Sequence, residues 1–416
     1  MGQAELIPHL FRTEYSKIVA VLTKLFGLEH IETAEDIASD TFLRASELWS
    51  INGLPENPVA WLYAVAKNKA INYLNRDKFF RQKIIGEIKV TSEQTEEIDI
   101  DLSTGNIADS QLQMMFAVCH PSIPSEAQIG LALRILCGFG IEEIAAAFLT
   151  NKETINKRLH RAKTKLREEN VAITLPPQPE IQQRLSNVLT TLYLLFNEGY
   201  YSSVQDTLIR KDLCLEAMRL TTMLTLNEQT SLPAVYALLA LMSFQSSRFD
   251  ARTDANGETV LYHDQDDSLW DKELIRQGEY FLNLSSTGPI ASKYHYEAGI
   301  AYWHTIKRDS PEKWEQILQL YNQLLLLEYS PIAALNRTYA LSKARGKELA
   351  IAEAEKLRLE ENHLYHSLLG ELYTGINNIE AVKHLQTALS LTKSQADKNI
   401  ISAKLDAMVQ NEQRAT

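Results

Sequence analysis

Cysteine is scarce: the 416-residue chain holds three, Cys119, Cys137 and Cys214, at long spacings. That excludes a disulfide framework and a CxxC metal knuckle. Proline and glycine are also few, 12 and 16, which excludes collagen-like and Pro-rich architectures. No apolar run approaches the roughly 20 residues of a membrane span. The first residues, MGQAELIPHLFRTEYSK, lack a signal-peptide core, so a cytoplasmic protein without membrane association is expected. Strand signals are rare as well, and an all-α fold is expected. The exception is Arg252–His263, where Asn256-Gly257 suits a tight hairpin turn. No nucleophile–base pairing, phosphate loop or metal-ligand spacing stands out, so neither an enzyme nor a cofactor or metal site is expected. Cys119-His120-Pro121 lacks a second ligand pair and reads as a packed cysteine at a Pro-terminated helix.

What is present is apolar residues at 45% and charge at 23%, enough for several folded domains. The net charge of −11 looks wrong for a nucleic-acid binder. Both halves are acidic, −4 over 1–175 and −7 over 176–416. The layout matters more than the sum. Lys67–Lys83 holds six cations and one acid, and Lys152–Arg167 holds seven and one. Between them Glu93–Asp109 carries six acids and no cation. Four parts follow: a helical domain over 1–80, an acidic linker over 81–110, a second helical domain over 111–175 and a helical extension over 176–416. The break LPPQP at 175–179 marks the last boundary.

Glu32–Trp49 has a buried stripe at helical spacing, Ala34, Ile37, Ala38, Thr41, Phe42, Ala45, Leu48 and Trp49. Asp36, Asp40 and Arg44 step by four along another face, which is either a solvated charged surface or a docking face. After INGLPENP at 51–58 comes a helix with Trp61, Leu62, Val65, Ala66 and Ile71 inside. Its other face carries Lys67, Asn68, Lys69, Asn72, Asn75 and Arg76. With Trp61, Tyr63 and Tyr73 nearby, these are either the residue types that grip phosphates and unstacked bases or core aromatics beside solvated cations.

Gly140–Phe148 reads as a short helix with Ile141, Ile144, Ala145 and Phe148 inside. Leu149-Thr150-Asn151 makes a turn, with Asn151 capping the next helix. That helix, Lys152–Glu169, buries Ile155, Leu159, Ala162 and Leu166. It exposes Lys152, Glu153, Asn156, Lys157, Arg158, His160, Arg161 and Lys163. Short helix, turn and long basic helix make a helix-turn-helix, whose second helix enters the major groove. In the C-terminal half Leu369-Gly370, Tyr373, Ala381, Leu385 and Ala388 follow the tetratricopeptide (TPR) pattern, and 336–357 is a poorer copy. Such stacked pairs leave a concave face for a protein or peptide ligand.

These residues carry a family resemblance. AEDIASDTFLRASELW (34–49) resembles the core-polymerase-binding helix of sigma factor region 2, and NPVAWLYAVAKNKAINYLNR (57–76) the segment that melts and reads the −10 element. GFGIEEIAAAFLTNKETINKRLHRAKTKLRE (138–168) resembles the region 4 helix-turn-helix that reads the −35 element. Order and spacing resemble the extracytoplasmic-function (ECF) class. QLQMMFAVCHPSIPSEAQIGLALRIL (111–136), LYLLFNEGY (192–200), LCLEAMRL (213–220), ARTDANGETVLYHDQDDSLWD (251–271) and SPIAALNRTYAL (330–341) resemble a subgroup with a long helical-repeat extension. Asn72 and Asn75 depart from the Asp and Arg often found there, and Asn151-Lys152-Glu153 from the usual start of the recognition helix.

The resemblance implies a sigma factor that binds core RNA polymerase and promoter DNA. Asp36, Asp40, Phe42 and Arg44 become candidate polymerase contacts. Lys67, Asn68, Asn72 and Arg76 become candidates for the −10 strand. Lys152, Thr154, Asn156, Lys157, Arg158, Arg161 and Lys163 become candidates for the −35 duplex. The extension is expected to modulate activity in a positive sense. The competing expectation is a polymerase-independent helix-turn-helix regulator with a ligand- or protein-sensing repeat domain.

Overall fold

The computed structural model describes residues 3–84, 100–148, 150–200, 211–252, 260–288, 290–392 and 395–415. Among these residues the chain is all α, with short 3-10 turns and no strand. The hairpin expected at Asn256-Gly257 lies outside them; among the described residues on either side, the Val260 amide donates to the Arg252 carbonyl, 2.9 Å. The chain forms two compact units, Met1–Leu194 and Leu195–Thr416.

The first unit begins with α1 (Gln3–Phe26), α2 (Ile31–Asn52) and α3 (Pro58–Ile84). From Tyr15 to Thr23 α1 is buried at every position but Lys17, because helices cover it on both sides. On α2 the stripe Ala34, Ile37, Ala38, Thr41, Phe42, Ala45 and Trp49 is buried as the spacing requires. Gly53, at φ +80°, ends α2 in a conformation L side chains rarely adopt, while its amide caps the Trp49 carbonyl. Helix α3 then starts with Pro58 and a side-chain cap, the Ala60 amide donating to Asn57 Oδ1 at 3.0 Å. Its fully buried line is Leu62, Ala66 and Ala70; Trp61, Val65 and Ile71 are only half-buried.

Helix α3 continues to Ile84, and α4 (Thr104–Val118) begins well before residue 110. The stretch expected as an 81–110 linker is therefore helical at both ends, and 85–99 lies outside the described residues. Ser103 caps α4. Next come α5 (Ser125–Leu131), a π-helical turn at Ala132–Leu136, α6 (Ile141–Ala147) and α7 (Lys152–Glu168). Helix α8 (Ile181–Tyr200) contains the division between the units. That division falls later than the boundary expected at 175. Ile181, Leu185 and Val188 of α8 are buried, Arg184 donates to the Phe116 carbonyl at 2.9 Å, and Thr191 Oγ1 donates to Gln128 Oε1 at 2.9 Å.

The second unit comprises α9 (Lys211–Thr225), α10 (Pro233–Ser246), α11 (Lys272–Ser285), α12 (Lys293–Trp303), α13 (Pro311–Leu327), α14 (Pro331–Arg345), α15 (Lys347–Glu355), α16 (His363–Tyr373), α17 (Asn378–Leu391) and α18 (Gln395–Ala415). Consecutive helices pack as neighbours, and one core runs from Ile300 through Trp314, Leu341 and Ala354 to Leu372. Leu369, Gly370, Ala381, Leu385 and Ala388 are all buried where α16 meets α17. A Cβ on Gly370 would lie 2.6 Å from Leu385 Cγ, so the pair approaches at a distance only glycine permits.

Candidate functional site

On α2 the charged face is solvent-facing: Asp36, Asp40 and Arg44 are exposed. Phe42 is not part of it. It is 4% exposed and meets Phe11 edge-on at 5.1 Å, so its place is the core and not a partner surface. The apolar residue on the outer face is its neighbour Leu43, 59% exposed. Leu43 steps three from Asp40 and four from Glu47, the spacing of one helix face. A leucine three residues beyond an exposed acid was the available signal.

Asn68, Asn72, Asn75 and Arg76 lie exposed along one edge of α3. Lys67 and Lys69 are half-buried, and Lys69 reaches Asp40 at 3.2 Å. The nearby aromatics do not join that edge. Trp61 meets Trp49 edge-on at 5.3 Å, Tyr63 donates to Glu14 Oε2 at 2.5 Å, and the Tyr73 hydroxyl lies 3.0 Å from His30 Nδ1. Burial and the Glu14 carboxylate push the Tyr63 phenol well above its ordinary value. These rings hold the helices together instead of offering free stacking platforms.

The second helical pair has the expected caps and core. Asn151 Oδ1 accepts from the Thr154 amide at 2.8 Å, and Ile155, Leu159, Ala162 and Leu166 are buried. On α6 Ile144 and Ala145 are buried, while Ile141 and Phe148 are half-buried; Leu149 lies outside the described residues. Lys152, Thr154, Asn156, Lys157, His160 and Arg161 are exposed. Arg158 is held closer in, its guanidinium over the Phe148 ring at 5.5 Å and 3.7 Å from Glu126. Lys157, Arg158, Arg161 and Lys165 line an open groove of about 470 Å³ together with Ser122 and Pro124. Arg158 and Lys165 are paired with Glu126 and Glu169, the latter at 2.7 Å, and Lys157 and Arg161 are the exposed cations of this groove that suit a polyanion.

Lys163 departs from expectation. Its side chain is 12% exposed and its ammonium bonds to Glu35 Oε2 of α2. The spacing placed it on the outer face of α7, but another helix covers that face. Glu35 is itself buried, and its second oxygen accepts from Arg134 Nε at 3.1 Å. Arg134 also donates to the Phe139 carbonyl and the Tyr15 hydroxyl, at 3.2 and 3.4 Å. Beside this triad Arg167 bonds to Glu32. Cys119 ends α4 fully buried, which pushes its thiol up to about 12, and His120 Nδ1 lies 2.8 Å from Ser122 Oγ. No group of three or more metal-ligating side chains occurs among the described residues. No helix among them is long and apolar enough to cross a membrane.

Comparison with known proteins bears on part of this architecture. The family model for Sigma-70 region 2 matches residues 10–79, the stretch that carries α1, α2 and most of α3. Over this segment the chain is similar to the sigma-70 family. RNA polymerase sigma factor YlaC of Bacillus subtilis (strain 168) is 26% identical over 173 residues, 40% of this chain and 94% of YlaC. A second relative is uncharacterized protein R00370 of Rhizobium meliloti (strain 1021), 32% identical over 385 residues, 91% of this chain and 90% of that one. Residues 184–286 match a family of unknown function (DUF6596). No solved structure matches.

Proposed function

We propose that this protein is a sigma-70-family sigma factor of the ECF type that binds core RNA polymerase and directs promoter-specific initiation. The observation that carries the reading is the pairing of two surfaces in one unit. Helix α2, inside the region 2 match, presents Asp36, Asp40, Leu43 and Arg44 to solvent. Helices α6 and α7 follow as a capped helix-turn-helix with Lys152, Asn156, Lys157 and Arg161 free of the core. In this reading α2 docks on polymerase. Asn68, Asn72 and Arg76 engage the −10 strand, where amides and a guanidinium suit base edges and phosphates. Helix α7 enters the −35 major groove, with Arg161 and Lys157 toward bases and phosphates. Polymerase performs the covalent chemistry.

The second unit, in the same reading, is a TPR-like stack that supports initiation through a protein or peptide contact. Its Gly370–Leu385 approach is the close helix pairing such stacks need. The test is run-off transcription with core polymerase, comparing the full chain with a truncation after Tyr200, which spares the α8 contacts to Phe116 and Gln128. The full chain should initiate and the truncation should initiate less. Higher activity in the truncation reverses the sign assigned to the second unit. Promoter binding with no polymerase dependence in either form replaces the sigma reading with an autonomous regulator.

A further inference from the structure

Two histidines meet where α16 packs on α17 in the second unit. His366 Nδ1 of α16 lies 2.9 Å from His384 Nδ1 of α17. His366 is 8% exposed, and its Nε2 lies 2.8 Å from the Glu360 carbonyl. A carbonyl only accepts, so His366 Nε2 carries a hydrogen and donates it. In neutral His366 the other nitrogen is then bare, and Nδ1 accepts from His384 Nδ1–H. One backbone carbonyl thus fixes the tautomer of both rings. The first proton taken up goes to His384 Nε2, the one ring nitrogen these bonds leave bare, and the shared bond becomes charge-assisted. A second proton has only His366 Nδ1 to bind, and there two N–H groups would point at each other across 2.9 Å. The closed pair holds one proton where the parted pair holds two.

The pair lies at a seam in the packing. The main core of the stack ends at Leu372, and Leu385, Ala388 and Ile401 form a separate small core that ties α17 to α18. These two helices are a hairpin with its own core, laid against α16. The charges around the pair are mixed. From α15, Glu355 accepts from the Tyr373 hydroxyl at 2.7 Å, and the Tyr373 ring stacks on His384 at 5.8 Å. Burial, and then His366, hold His384 below its ordinary pKa; Lys383 adds to this, while Glu380 and Glu355 work against it. Tyr365 meets the His366 ring edge-on at 5.2 Å. Farther along α16, Glu371 is held ionised by Lys404 of α18 and Lys347 of α15, and faces Tyr339 of α14. His363 of α16 meets Asp397 of α18 at 3.3 Å, a pair that protonation of the imidazole tightens. It opposes parting in acid, but both side chains are about one-third exposed and such pairs are weak.

We propose that His366 and His384 form a one-proton clasp, and that a second proton releases the α17–α18 hairpin from α16. The end of the stack is then a sensor of acidification, whatever the first unit binds. The sign follows from the proton count. The closed pair binds fewer protons than the parted pair, so closure is favoured at neutral pH and lost as pH falls. Below the ordinary histidine value of 6.5, each pH unit raises the ratio of parted to closed hairpin by up to about tenfold.

The test is hydrogen exchange on the full chain, corrected for the intrinsic pH dependence of amide exchange. From about pH 7.5 to about pH 5.5, opening of α17 should rise by about tenfold, while α13 and α14 keep their protection. His384→Gln supplies an N–H donor for His366 Nδ1 that cannot titrate, at a half-buried position. It should keep α17 protected at the lower pH. Wild-type protection that does not change with pH would overturn the clasp. So would a loss shared equally by α13 and α14, which marks general acid unfolding, and so would a His384→Gln chain that follows the wild-type pH dependence. Should the variant be unprotected at both pH values, isotope-labelled histidine spectra of the wild type decide. They should show the closed hairpin with one imidazolium in the pair and a neutral His366; two imidazoliums beside a protected α17 would overturn the proposal.

Discussion

Removing the Glu35 carboxylate tests the energetic claim behind the interface between α2 and α7. Glu35 is 7% exposed and bonds to two cations, one of them Lys163 at 12% side-chain exposure. Breaking a buried pair by deleting one partner costs about 3–5 kcal/mol, mostly from the charge left behind. Two features lower that figure here. Arg134 keeps its bonds to the Phe139 carbonyl and the Tyr15 hydroxyl. The long Lys163 stem lets its ammonium swing toward water. Glu35→Ala is therefore expected to destabilise the first unit by about 2–4 kcal/mol, lowering its Tm by about 5–12 °C at the sensitivity of a domain this size. Calorimetry on the chain truncated after Tyr200 reads this directly, with exposed Glu47→Ala on the same helix as control. A loss below about 1 kcal/mol, equal to the control, would refute the view of Glu35 as a desolvated, shared carboxylate.

Leu43→Asp and Asp36→Lys should leave the fold intact, as both positions are exposed, yet weaken co-purification with core polymerase by about tenfold or more; unchanged affinity in a folded variant would move the docking face elsewhere. Lys157→Ala and Arg161→Ala should each cost about 1–3 kcal/mol where the contact is to a base, or lower the salt slope of promoter binding by about one where it is to a phosphate; a pair of variants with wild-type binding at every salt concentration would exclude this face of α7. His304 packs half-buried between Tyr262 and Trp314, and desolvation there pushes its pKa down to about 3 from an ordinary 6.5. The unfolded chain takes up that proton first, so this contribution to stability is intact above pH 6.5 and falls as pH drops from there toward 3, by up to about 1.4 kcal/mol per unit. His304→Phe should flatten the acid limb of the second unit's stability curve, and an acid limb of unchanged slope would contradict the assignment.

Much of this was legible in the sequence because it is local. The period of Ile155, Leu159, Ala162 and Leu166 fixes the inner face of α7, and Asn151 followed by Thr154 fixes its start. The α2 stripe and the Gly370–Leu385 pairing follow from the same kind of spacing. What spacing cannot supply is which helix covers an outer face. Lys163 and Arg167 sit on the polar side of an amphipathic helix, and only the fold brings Glu35 and Glu32 to them. Phe42 shows the converse: it was readable both as core and as contact, and the Phe11 ring decides for core. The aromatics of α3 were likewise readable both as core and as a surface for bases, and Glu14, His30 and Trp49, which engage them from other elements, decide for packing.

The central claim is most directly tested by reconstituting the full chain with core RNA polymerase and measuring run-off from templates carrying a promoter found by footprinting the same complex. The account predicts transcripts that require the chain, polymerase and that promoter together, and that fall sharply with Arg161→Ala. Core polymerase that neither binds the chain nor starts at any chain-dependent site would contradict it.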